Sequence, residues 1–199
     1  MAEENVSDQL EGWLRADGPK TIGSLIELFG ERSFAIVFLL LMAIPALPIP
    51  TGGVTHVLEV IVILVALQLV VFRREIWLPD RFRERELGAT FKGKFATSLI
   101  KRIRWFERFS RRRWPWLLDH RLSGAVFGVL VIALAAVAFV APPFSGLDTL
   151  PSLGVVVLSL GVLLGDALMA LVGTVIGGLG AFLAIGFGTA VVHFVKGLF

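Results

Sequence analysis

Polar and apolar positions alternate along this chain in long blocks rather than residue by residue. Residues 5–16 and 20–29 mix the two kinds. In the second stretch Ile22, Leu25, Ile26 and Phe29 recur at i, i+3, i+4 and i+7, which places them on one helical face. Both stretches are expected to be short amphipathic helices, with Pro19 in the first turn of the second and Gly30 as its stop. Ser33–Ile44 follows as an almost purely apolar run. Its 12 residues cover about 18 Å, well short of a ~30 Å hydrocarbon core. The run breaks in AIPALPIPTGG (43–53), where Pro45, Pro48 and Pro50 each remove a backbone donor. Val54–Phe72 resumes with 19 residues, enough for one span, interrupted by His56, Glu59 and Gln68.

The block 73–121 has a different character. RREIWLPDRFRERELG reads as an interfacial turn anchored by Trp77 and broken by Pro79. Farther on, Phe91, Phe95, Leu99, Ile103, Phe106 and Phe109 fall three or four residues apart, as one helical stripe. Lys94, Lys101, Arg104, Arg108 and Arg111 cluster opposite. That pattern predicts a helix lying in an interface, apolar face down and basic face toward anionic headgroups. Leu122–Ala141 is then an uninterrupted 20-residue span. A second break, PPFSGLDTLP (142–151), reads as a tight loop and leads into the shorter apolar run Ser152–Gly165. Asp166 interrupts, and Ala167–Val195 continues for 29 residues. Its segment GTVIGGLG suits close small-xxx-small helix packing.

A shift of 93 residues brings the two halves into register. Pro50 falls on Pro143, Gly53 on Gly146, and Gln68, Phe72 and Arg73 on Gly161, Gly165 and Asp166. Each half is an apolar run, a Pro/Gly break, a second apolar run and a polar residue. Repeated, interrupted apolar helices point to a transporter-like site near a bilayer midplane. Irregular backbone at that depth is tolerated only where protein buries it or water reaches it. The expected fold is therefore an all-α polytopic membrane helix bundle of two related halves. We read it as an inverted repeat in which each half holds a Pro/Gly-broken helical hairpin, the first re-entrant. The chain forms one membrane domain over 1–199. Its parts are an amphipathic N-terminal region (1–32), a first hairpin (33–72), a basic segment (73–121) and a second half (122–199) with a hairpin and a long Gly-rich helix.

Composition and charge sharpen this picture. Hydrophobic residues make up 56% of the chain, above the ~45–50% usual for soluble domains. Residues 1–32 carry seven acids against three bases and lack the basic and apolar regions of a signal peptide, so insertion is expected to use internal helices. Residues 73–121 hold 15 of the 19 Lys and Arg. A basic belt between apolar segments is expected to face the cytoplasm and contact anionic lipid, and nucleic acid is not an expected partner. The absence of Cys excludes disulfides and thiolate chemistry.

FGERSFAIVFLLLMAIPALPIP, ALQLVVFRREIWLP and LDTLPSLGVVVLSLGVLLGDALMALVG resemble the bacterial exopolysaccharide-synthesis ExoD family over roughly residues 8 to 190. The most specific parts are Gly30-Glu31-Arg32, the Pro-x-x-Pro-x-Pro break, Gln68, Trp77-Leu78-Pro79, Pro151 and Asp166. Pro142-Pro143-Phe144 departs from the looser pattern expected there. The resemblance implies a bacterial inner-membrane protein connected with exopolysaccharide production, without supplying a mechanism.

Enzyme signatures are thin: no HExxH, P-loop or GxSxG occurs. No catalytic residue, cofactor or metal site is expected. An ionisable group inside a membrane helix is costly and usually faces a partner or a cavity. The candidate substrate- or lipid-binding residues are accordingly Arg32, Pro45, Pro48, Pro50, Glu59, Gln68, Arg73 and Asp166. His56 and Glu59 stand at i, i+3 and are able to hold a proton or a cation, or simply mark a helix end facing water. Asp166 also suits a helix cap. The expected function is a transporter-like protein handling a lipid carrier or lipid-linked sugar, with membrane lipids, a polyprenyl-phosphate carrier and further copies of the chain as partners. The alternatives are a non-catalytic subunit organising polysaccharide synthesis and an enzyme acting on a lipid-linked substrate.

Overall fold

A computed structural model describes residues 5–47, 53–73, 75–86, 96–110, 118, 121–142 and 145–196. Pro48 and Pro50 of the first break, and Phe91 and Phe95 of the predicted stripe, lie outside them. Among the described residues the chain is helical, apart from one isolated antiparallel bridge between Thr21 and Glu86.

The amphipathic start forms α1 (Val6–Arg15) and α2 (Ile22–Phe29). Thr21 caps α2: its side chain accepts from the Ser24 N–H at 3.1 Å, and the Thr21 N–H donates to Ser24 Oγ at 3.2 Å. Pro19 therefore precedes the cap instead of entering the first turn. A single 3-10 turn at 30–32 then leads into α3 (Ser33–Met42). Pro45 has no N–H to continue the ladder, and regular helix ends at Met42, with Pro45 buried in the half-buried turn that follows.

Helix α4 (Val54–Val70) returns from the break. The short α5 (Asp80–Arg83) and the basic α6 (Ala96–Phe109) follow. The second half contains α7 (Arg121–Val140), α8 (Thr149–Leu164) and α9 (Ala167–Lys196). Two of these helices, over Leu122–Val140 and Ala167–Thr189, are long and apolar enough to cross a membrane.

Packing sorts the helices into a centre and a sheath. Nine of the ten residues of α3 are buried, and α8 is buried along most of its length, so these two form the centre. Around them α4, α7 and α9 turn apolar side chains outward, among them Val57, Leu64, Val126, Val129, Val175 and Phe182. Main contacts run between α8 and α9, α4 and α7, and α3 and α8. Glycine sets the closest approach: a methyl at Gly161 would lie 2.3 Å from the Ala170 nitrogen, and one at Gly173 2.2 Å from the Leu158 nitrogen. The small-residue pattern of α9 is thus used within the chain, along a seam with α8.

Helix directions follow from contacts along each pair. His56 stacks near Phe139 while Gly128 lies beside Ala66 and Leu69, so α4 and α7 are antiparallel. Both α3–α4 and α7–α8 are hairpins, so α3 and α7 run one way and α4 and α8 the other. The start of α7 lies beside the end of α4, with Gly124 and Gly128 both facing Leu69. Local backbone recurs at the same spacing of 93. Gly53 and Gly146, before α4 and α8, have φ of +90° and +69°. Phe72 and Gly165, just after those helices, have φ of +60° and +69°. Both helix ends close with the same pair of bonds: Phe72 N–H to Leu69 O and Arg73 N–H to Gln68 O, Gly165 N–H to Val162 O and Asp166 N–H to Gly161 O.

At one end of the bundle α1, α2, α5 and α6 form a polar layer. Here the structure changes the reading of the basic helix. Leu99, Ile100 and Ile103 of α6 are buried, with α1 docked on α6. The reason is complementarity in both apolar faces and charge. Val6 and Leu10 of α1 are buried in the same core cluster, and Arg104 of α6 pairs with Asp8 at 2.9 Å and Glu11 at 2.6 Å. Glu107 accepts from the Ser7 N–H at 2.9 Å and from the Ser7 hydroxyl. Trp105 and Phe109 remain exposed.

Candidate functional site

The candidate residues separate between the two ends of the bundle. Arg32, Gln68, Arg73 and Asp166 lie at the polar-layer end, and each described partner is a structural one. The Gln68 amide holds the backbone of Trp77, accepting from its N–H at 2.8 Å and donating to its carbonyl at 3.1 Å. Asp166 caps α9, accepting from the N–H of Leu168 at 3.1 Å and of Met169 at 3.3 Å, and it accepts from the Ser110 hydroxyl at 3.2 Å. The capping option foreseen for Asp166 is the observed one. Arg73 is exposed, and Arg32 closes the 3-10 turn before α3, half-buried.

Pro45 and Glu59 lie toward the opposite end. There α4 begins immediately after the first break, and α7 ends immediately before the second. His56 brings them together, its ring 5.4 Å from that of Phe139. One turn farther into α4, Glu59 is completely buried, and neither carboxylate oxygen has a hydrogen-bond partner. Its nearest polar neighbour is His56, with Nδ1 3.5 Å from Oε2. The His56 side chain is 28% exposed, so it stands between the buried acid and the outside. The buried Thr55 places Oγ1 3.4 Å from the same Nδ1. Asp148 lies at the same end of the bundle, immediately before α8.

Ser152, 93 residues after Glu59, is also wholly buried with no partner for its hydroxyl. The sequence singled out Glu59 but missed Ser152 and Asp148. Applying the same register to every polar residue of α4 would have found Ser152 on Glu59 and Asp148 on Thr55. Among the described residues no three His, Cys, Asp or Glu groups gather as metal ligands. The arrangement is an enclosed carboxylate with one imidazole leading to it, suited to holding a small cationic species or exchanging a proton.

The comparisons with known proteins agree with the resemblance read from the sequence. The family model described as "Exopolysaccharide synthesis, ExoD" matches residues 6–186. The chain is 29% identical over 178 residues to "Protein ExoD" of Rhizobium meliloti, covering 84% of this chain and 71% of that protein. It is 28% identical over 152 residues to an uncharacterised protein of Synechocystis sp., covering 74% of this chain and 69% of that one. No solved structure matches.

Proposed function

Because the chain belongs to the ExoD family of exopolysaccharide synthesis, we propose that it is a polytopic inner-membrane protein that handles a lipid carrier or lipid-linked sugar for that process, moving it without altering it chemically. The observation that carries this reading is the meeting of two interrupted hairpins beside a buried, unpartnered carboxylate, inside an apolar sheath. Outward-facing Val, Leu and Phe on α4, α7 and α9 suit lipid tails, and a bilayer is the natural cover for them.

The recurrence of left-handed positions, helix-end bonds and buried polar residues at a spacing of 93 supports two related halves in parallel orientation. Pairing α3 with α8 and α7 with α4 is what exchange of equivalent helices between such halves produces. The basic segment 73–121 is placed on the cytoplasmic side, where its Lys and Arg meet anionic headgroups and the phosphate of a polyprenyl carrier. Arg32 and Arg73 lie at that end, and Glu59 near the far side.

The test is reconstitution. Purified protein in liposomes is expected to move a labelled polyprenyl phosphate between leaflets, with the carrier recovered intact. Replacing Arg32 or Arg73 by Ala should slow it. No movement above protein-free liposomes, from folded protein, ends the reading. A chemically changed carrier would make the protein an enzyme, and a stoichiometric glycosyltransferase in the purified material would make it an organising subunit.

A further inference from the structure

We propose that Glu59 is a proton-binding site, loaded and unloaded through His56, at the end of the bundle where α4 begins and α7 ends. An ionised carboxylate enclosed without hydrogen bonds is strongly disfavoured, and an occupant that neutralises it removes the penalty. Both Glu59 oxygens are without partners, and the side chain is fully buried. The occupant must therefore be small and must come from the side of His56.

A proton fits where a metal ion does not. Hard cations take about six or more oxygen ligands in close array. Among the described residues no three His, Cys, Asp or Glu groups gather here, and the nearby Thr55 hydroxyl contacts His56. His56 supplies the route. Its Nδ1 faces Glu59 Oε2 at 3.5 Å, and its partial exposure opens it to the bulk phase. Imidazole titrates near neutrality, and its two nitrogens allow uptake on one and delivery on the other. The step is balanced: Nδ1–H of the imidazolium gives its proton to Oε2, leaving neutral imidazole and a carboxylic acid. The imidazolium forms when the neutral Nδ1–H tautomer takes a proton from water on Nε2, and after the transfer the ring, left with its proton on Nε2, returns to the Nδ1–H form by exchange with solvent. A small ring rotation or one bridging water closes the remaining gap.

The surroundings make Glu59 the natural carrier. The segments 33–42, 122–140, 149–164 and 167–189, which build the rest of the bundle, contain no ionisable side chain. His56 on its own helix faces Glu59, and Asp148, which directly precedes α8, is the further carboxylate at this end of the bundle. Asp148 stands one turn before Ser152, whose unpartnered hydroxyl occupies the register position equivalent to Glu59. The two halves thus hold an acid and a hydroxyl at matching places. Only the first half can release a proton there, so proton binding is asymmetric between them. This inference deepens the transporter reading by naming the species coupled to movement, and it rests on that reading for its purpose alone.

The test uses purified full-length protein without any lipid carrier, so its failure stays distinct from failure of carrier movement. A hydrophobic carbodiimide, which reacts with protonated carboxyls, is applied across a pH series at constant ionic strength. Modified peptides are quantified by mass spectrometry. Glu59 is expected to be labelled, with a rate falling about tenfold per pH unit above its titration point, as a single site requires. His56→Phe should slow proton equilibration of Glu59 while leaving the acid in place. Glu59→Gln should remove the label, and a protonated-carboxyl infrared band in the unmodified protein covers the case where that variant fails to fold. Labelling independent of pH, no Glu59 label with other acids modified, or protection by Na⁺ or K⁺ at fixed pH would each overturn the proposal.

Discussion

Phe72 sits at φ +60° at the end of α4, in a conformation that L side chains adopt at a cost. The helix-end bonds to Leu69 and Gln68 hold it there, and Gly165 fills the equivalent place after α8. Phe72→Gly is therefore expected to stabilise the protein by about 1 kcal/mol, and Gly165→Ala to destabilise it by a similar amount. Thermal unfolding in detergent measures both, and equal effects of the same sign would contradict the shared geometry. Residue roles were unevenly legible in the sequence. An Asp directly before an apolar run reads as a cap, and Asp166 is one. Gln68 gave no such hint, because its partner is the backbone of Trp77 beyond a turn. Polarity in an apolar run signals that a residue has a task, and what lies across the turn decides which.

Helices themselves were readable from run length. The apolar stretches seen in sequence return as α3, α4, α7, α8 and α9 within a few residues, because each is bounded by Pro, Gly or a charge. What covers each face was less legible, since a stripe shows that a surface is buried without showing against what. The stripe of α6 is met by α1, and electrostatics makes that clasp depend on pH. Hydrogen bonding to Arg104, with the nearby Arg15 charge, holds the Glu11 carboxyl below the usual carboxylate range. Its contribution is present above that range and is lost as pH falls through it. Hydrogen exchange in α1, taken relative to the intrinsic rate at each pH, is expected to accelerate on acidification through that window, and in high salt. Arg104→Ala should give the same acceleration at neutral pH and make it insensitive to acid. The α8–α9 seam makes a second prediction. Gly161→Ala, whose methyl meets Ala170 backbone, should cost about 1–3 kcal/mol, whereas Gly178→Ala, with nothing within 4 Å, should be near neutral.

For the whole molecule, the proposed orientation places the polar layer and the Glu59 end on opposite faces of a membrane. The chain has no Cys, so single introduced thiols report side directly. Ser145→Cys, exposed beside the second break, should react with an impermeant maleimide from outside the cell. Ser98→Cys, exposed on α6, should react only after permeabilisation. Reaction of both from one side would refute the arrangement. The spacing of 93 was legible because Gly53 and Gly146 stand in register, and both have positive φ. Helix directions were not, because they follow from contacts such as His56 with Phe139 that no local pattern announces.

The centre of the bundle also has a history. Helix α3 is enclosed by neighbours and packs on α8, which is synthesised more than 100 residues later. When α3 leaves the ribosome its lining does not yet exist, and it is too short to rest alone across a bilayer. With the membrane placement proposed above, the first hairpin is expected to need an insertase or a chaperone until α8 arrives to close over it. A nascent chain stopped before Thr149 should therefore remain bound to such a helper and be degraded on release, while one stopped after α9 should persist. The order of translation, as much as the finished contacts, is a condition of this fold.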